Sequence, residues 1–190
     1  MSRGVSEKTK KLTLSAVLAA MGVVLLMLGA FVEVLDLSVA AIASFFCIFA
    51  VIELGKGYPW MVYAVTGVLS VTLIHQGLGG WFYILLFGYY PILKEKFEKL
   101  VKPLAWGLKF LVFNLSITVY AVICYFLFFG EFKTLLDEFS SLLGGMEIGA
   151  WLIIIICIFL NFIFFIYDLV LTQLITLYIL RLRKKFRFLK

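Results

Sequence analysis

Apolar residues run along most of this chain in long blocks, and polar residues are concentrated in the short breaks between them. Gly and Pro mark breaks such as GKGYP (55–59) and QGLGG (76–80). The blocks are close to or above the roughly 20 residues that a helix needs to cross a bilayer. The pattern predicts six transmembrane helices, at approximately 12–35, 37–55, 57–76, 78–93, 107–129 and 149–177. The fourth block is short, so a re-entrant segment stays open there beside a full crossing.

The composition restricts the chain to one class of protein. Of its 190 residues, 64% are hydrophobic and 15% are charged, whereas soluble domains have about 45–50% apolar and about 25% charged residues. Cys47, Cys124 and Cys157 lie inside apolar blocks with no pairing or metal spacing, so they are interpreted as small hydrophobic residues. We therefore expect an all-α polytopic membrane protein with a single transmembrane domain over residues 1–190, without a metal or cofactor.

Positive charge is sorted between the two sides that six spans would create. Sixteen of the 17 Lys and Arg residues fall on the side of the termini, and Lys133 alone falls on the other. The positive-inside rule makes the side of the termini the cytoplasm. The sorting predicts six spans with both termini inside.

Three segments outside the spans have amphipathic or basic patterns. Residues 94–106 place apolar residues at helical spacing opposite lysines, which predicts an interfacial cytoplasmic helix attracted to anionic lipid; docking of a cytoplasmic partner is the alternative. The basic tail 181–190 is interpreted as a membrane-surface anchor and not as a nucleic-acid site. The outer loop 130–148 fits either an amphipathic helix over the outer mouth or a hydrated loop.

Polar residues inside or at the ends of spans are the candidates for a binding site. In the sixth span Asn161 and Asp168 lie on one face, and an intramembrane carboxylate has to be protonated, paired or hydrated. A ligand contact and a structural contact with another helix both explain it. A second set lies at the outer ends of the first four spans and is expected to line an outward-facing pocket. Its members are Glu33, Asp36, His75, Gln76 and Trp81.

Patterns typical of enzymes are missing from the sequence. It has no phosphate-cradling glycine loop of the Walker type, no HExxH and no DDxxD. Ser70 and the single histidine, His75, are five residues apart and face different directions on a helix. We expect no catalytic residues and no ATPase activity in this chain.

The stretch SAVLAAMG (15–22) carries two adjacent stripes of small residues on the first helix. Ala16 and Ala20 form one stripe, and Ser15, Ala19 and Gly22 form the other. Small residues four apart let two membrane helices approach closely. Packing against the second span would use one stripe, which leaves the other for a further partner.

In these features the chain resembles the substrate-binding S components of energy-coupling factor transporters. The resemblance consists of the length, six spans, cytoplasmic termini, and a basic stretch running into KLTLSAVLAAMG with its AxxxA pattern, here Ala16 and Ala20. It implies a bacterial cytoplasmic membrane protein that binds a vitamin-like molecule near the outer face. It also implies that the AxxxA helix packs on a transmembrane coupling subunit, driven by two separate ATPase subunits.

Two functions of other classes stay open. The size and span number also resemble the rod-shape-determining integral protein of the cell-wall elongation machinery, which would make 94–106 and the basic tail docking surfaces. A lipid-modifying membrane protein that uses Asp168 is the remaining alternative.

Overall fold

The computed structural model describes residues 2–32, 35–55, 57–73, 78–127, 134, 141 and 150–182. Within these residues all regular secondary structure is helical. The α-helices are α1 Ser2–Ala30, α2 Asp36–Glu53, α3 Tyr58–Leu73, α4 Leu78–Phe82, α5 Tyr90–Phe97, α6 Lys102–Leu127 and α7 Ala150–Leu177. Two π-helical segments, Tyr83–Phe87 and Tyr178–Leu182, follow α4 and α7.

Among the described residues, four helical stretches are long and apolar enough to cross a membrane. They are Glu7–Ala30, Asp36–Glu53, Lys102–Ile123 and Ile154–Leu180. Helix α3, Tyr58–Leu73, is apolar but shorter. Large apolar side chains such as Val24, Leu28 and Phe162 are exposed along these helices, as lipid-facing positions require. The prediction of an all-helical membrane protein is thus confirmed.

The chain forms two compact units, Met1–Tyr120 and Ala121–Lys190. In the first unit α2 lies at the centre and contacts α1, α3, α4 and α5. Its inward positions are small, and Ala40, Ala43 and Ser44 are fully buried. Because lipid is as apolar as a leucine side chain, membrane helices associate through close packing, and these small residues permit it.

Helices α1 and α3 approach each other closely at Thr66. The Thr66 hydroxyl donates a hydrogen bond to the Ala19 carbonyl at 3.3 Å. A Cβ atom built on Gly22 would lie 2.9 Å from the Thr66 Cγ2 atom, so only glycine fits there without a shift. The polar group of Thr66 is fully buried and satisfied by the neighbouring helix.

The fourth predicted block, 78–93, is not one α-helix. It consists of α4, the π segment Tyr83–Phe87, and the first turn of α5. Pro91 has no N–H to donate to the Phe87 carbonyl, which ends the regular helix there. The Gly88 N–H donates to the Tyr83 carbonyl at 2.7 Å, five residues back, which is the wider spacing of a π-helix. The chain therefore takes a wide turn before α5 restarts at Tyr90.

Residues 94–106 do not form the one helix that the periodicity predicts, whereas their position at a membrane interface stays a prediction. Helix α5 ends at Phe97, and a tight turn closes with the Leu100 N–H donating to the Phe97 carbonyl at 3.0 Å. Helix α6 then begins at Lys102. Pro103 explains the break, because proline is tolerated in the first turn of a helix and disrupts its interior.

In the second unit α7 is the main element. Phe164, Asp168 and Leu171 form its buried stripe, while large apolar residues on the rest of its surface are exposed. The predicted loop 130–148 and tail 181–190 lie almost entirely outside the described residues.

Candidate functional site

The N-terminal end of α2 carries a buried carboxylate that joins α2 to α4. Asp36 is only 7% exposed, and its Oδ2 atom accepts a hydrogen bond from the Gly79 N–H at 2.7 Å. A Cβ on Gly79 would lie within 2.9 Å of three Asp36 atoms, including the backbone oxygen. Asp36 therefore holds the first turn of α4, where backbone N–H groups otherwise have no partner.

The rest of the predicted outer set is described in part. Trp81 lies in α4 two residues after Gly79, and it is half-buried. Glu33, His75 and Gln76 lie outside the described residues. The structure thus brings Asp36 and the helix of Trp81 together, and the sequence prediction for the other three stays a prediction.

Asn161 and Asp168 lie seven residues apart on α7. Asp168 is 1% exposed and its backbone carbonyl accepts a hydrogen bond from the Thr172 hydroxyl at 2.8 Å. Asn161 is half-buried, and its amide donates to the Cys157 carbonyl on the same helix at 2.8 Å. Asn161 thereby satisfies part of its hydrogen-bonding capacity within its own helix.

The two small-residue stripes of α1 have opposite surroundings. Ser15, Ala19 and Gly22 are buried, and the last two face Thr66 of α3. Ala16 and Ala20 are exposed. The first unit therefore uses one stripe for its own packing and leaves the AxxxA stripe on its surface.

Two tyrosine hydroxyl groups form hydrogen bonds at the π segment and in the turn after it, and sequence reasoning missed them. The Tyr63 hydroxyl donates to the Ile84 carbonyl at 2.9 Å, inside the segment. The Tyr89 hydroxyl is hydrogen-bonded to Ser116 of α6, and the Tyr63 and Tyr89 rings meet edge-on at 6.0 Å. A Cβ on Gly88 would lie 2.6 Å from the Tyr63 ring, so the glycine permits this contact. The only sequence signal was the combination of tyrosines, Gly88 and a proline in a short block.

A second missed group lies at the junction of α5 and α6. Lys94 is fully buried, and its Nζ atom is 2.9 Å from the Glu98 Oε1 atom. The Nζ atom of Lys109, 5% exposed, lies 4.0 Å from the same oxygen and 4.8 Å from the centre of the Trp106 ring. Buried lysines need such partners, and these contacts fix the turn between the two helices.

The described residues hold no group of three or more His, Cys, Asp and Glu side chains that could bind a metal ion. Comparison of the chain with family models, with characterised proteins and with solved structures finds no match.

Proposed function

We propose that the chain is a substrate-binding membrane subunit for ATP-driven uptake of a vitamin-like small molecule, with ATP hydrolysis supplied by separate subunits. The observation that carries the proposal is the different burial of the two small-residue stripes of α1. Its Ser15 stripe is buried inside the unit, whereas Ala16 and Ala20 are exposed. An exposed AxxxA stripe suits close, sliding contact with a helix of a transmembrane coupling subunit, because small residues pack without fixed ion pairs.

The proposed arrangement in the membrane has six spans with both termini in the cytoplasm of a bacterial cell. Its support is the sorting of 16 of the 17 Lys and Arg residues to one side. In this arrangement the ligand site is proposed at the outer ends of the helices, where Asp36 holds α4 and Trp81 offers an aromatic face. The chain itself is proposed to be non-catalytic.

The test is gentle purification from the native organism, followed by native mass spectrometry. We expect a bound molecule of vitamin size, or a membrane subunit together with two ATPase subunits.

The double variant Ala16→Leu/Ala20→Leu should reduce the recovered subunits at least tenfold, because leucine side chains hold the two backbones apart. The matched control Ala64→Leu/Ala121→Leu makes the same change at exposed positions of α3 and α6 and should leave the recovery unchanged.

A structural subunit of cell-wall machinery is the second candidate function. It is favoured by exposed apolar side chains at the junction of α5 and α6. Leu100, Val101 and Leu104 are 42%, 72% and 56% exposed there and are suited to docking. An empty protein recovered with cell-wall subunits, equally from both double variants, would contradict the transport proposal and establish this one.

A further inference from the structure

The junction of α5 and α6 presents an apolar tip, which we define as Leu100, Val101 and Leu104. Val101 stands between the two helices and is 72% exposed. The stretch of α6 that is apolar enough to cross a membrane begins at Lys102, directly after Val101, and contains Leu104. The tip therefore lies at the level of a membrane surface, where apolar side chains can enter the boundary between headgroups and acyl chains.

Two lysines beside this tip carry positive charge that no described acid neutralises. Lys96 and Lys102 are both exposed, and neither forms an ion pair within the described part of the chain. Lys99 differs, because its Nζ atom lies 2.7 Å from the Glu95 Oε1 atom. The tip is thus flanked by one free lysine at the end of α5 and one at the start of α6.

The turn is held in place before any ligand arrives. Glu98 contacts Lys94 at 2.9 Å and Lys109 at 4.0 Å, and therefore ties the end of α5 to α6. The Lys109 ammonium also lies over the Trp106 ring. A surface that is already ordered loses little conformational entropy when it binds, which favours recognition by few contacts.

We infer that this surface, the apolar tip with Lys96 and Lys102, binds the headgroups of anionic phospholipids. The apolar side chains match the acyl-chain boundary of a membrane in polarity. The two lysine side chains beside them match the phosphate groups of its lipids in charge. A soluble acidic protein would match the charge of the lysines, but it would have to displace lipid headgroups to contact the apolar tip. The inference does not depend on the transport proposal, since it uses no ligand of the outer side and no partner subunit.

The test is lipid titration of the full chain in a neutral detergent, with bound lipids counted by native mass spectrometry. Phosphatidylglycerol and phosphatidylcholine are compared at equal concentration. We expect tighter binding of phosphatidylglycerol, and Lys96→Gln/Lys102→Gln should weaken it about fivefold for each lysine removed. The charge-matched control Lys8→Gln/Lys10→Gln removes two exposed lysines of α1 and should have a smaller effect.

A second variant separates the apolar contribution from the charge. Leu100→Asn/Val101→Asn should weaken phosphatidylglycerol binding at both low and high ionic strength, whereas the effect of the lysine variant should fade at high ionic strength through screening. Equal binding of the two lipids by the wild type, or equal losses in the lysine variant and its control, would overturn the inference. Displacement of the lipid by a polyglutamate peptide at low concentration would also overturn it and assign the surface to an acidic protein.

Discussion

Asp36 is a residue whose partner lies far away along the chain. Its polarity and its place at a helix end were visible in the sequence and suggested a ligand contact. The structure pairs its carboxylate with the N–H of Gly79, 43 residues later, and buries it. Sequence spacing cannot reveal such a partner, because the pairing depends on how α2 and α4 pack. A carboxylate satisfied by a backbone N–H already has a structural role in positioning the first turn of α4.

Replacement of Gly79 tests that role. In Gly79→Ala the new Cβ would overlap the Asp36 side chain, and we expect a loss of about 1–3 kcal/mol in the free energy of unfolding, the usual cost of overpacking. The matched control is Gly80→Ala, whose Cβ would lie at an ordinary 3.5 Å from Ser70. Thermal unfolding in detergent measures both, and equal melting temperatures for the two variants would refute the structural role.

Helix α1 has two faces of small residues, one buried and one exposed. The same substitution should therefore destabilise the chain on the buried face and not on the exposed one. Ala19→Leu should lower the stability of the isolated chain by about 1–3 kcal/mol, because Ala19 is buried beside α3. Ala20→Leu should change it by less than about 0.5 kcal/mol, because Ala20 is exposed. The measurement is unfolding in detergent without partner subunits. If Ala20→Leu proved as harmful as Ala19→Leu, the exposed stripe would have to pack within the chain.

The π segment is an element that the hydrophobic pattern could not predict. The hydrophobic pattern of an apolar block is the same whether its backbone hydrogen bonds are α-helical or π-helical. Gly88 and Pro91, which favour the π segment locally, can be read from the sequence. The hydrogen bonds that hold the region in place cannot, because Tyr63 belongs to α3 and the partner of Tyr89 belongs to α6. The same limit applies to residues 94–106, where periodicity suggested one helix and Pro103 required a new start.

Tyr63→Phe tests how firmly α3 holds the π segment. The substitution removes the hydroxyl that donates to the Ile84 carbonyl and leaves the ring in place. We expect a loss of about 1 kcal/mol in stability, the net contribution of a typical hydrogen bond. Tyr58→Phe is the control, since no hydrogen bond of the Tyr58 hydroxyl occurs among the described residues. Faster amide exchange in residues 83–88 of Tyr63→Phe alone would locate the effect, and identical exchange in both variants would contradict it.

For the molecule as a whole, the membrane character was predictable from composition and block length, because both follow from the lipid environment alone. The number of crossings depends on more than apolarity. Helix α3 is shorter than a simple span, and the α4–α5 region is divided into three short helical pieces, while the charge sorting requires both to cross. If the α4–α5 region turned back within the membrane, Lys99 and the neighbouring lysines of the α5–α6 junction would lie outside, against the positive-inside rule.

Single cysteines in a background without Cys47, Cys124 and Cys157 decide between these arrangements. With six spans, Lys99→Cys should react with a membrane-impermeant maleimide only after the cells are opened, and Lys133→Cys should react in intact cells. Lys8→Cys serves as the cytoplasmic reference. Reaction of Lys99→Cys in intact cells would mean that the α4–α5 region does not cross. The basic α5–α6 surface would then face the outer leaflet. The five lysines of this junction and the six Lys and Arg residues of the tail would lie outside and Lys133 would lie inside, so only 6 of the 17 positive residues would remain in the cytoplasm.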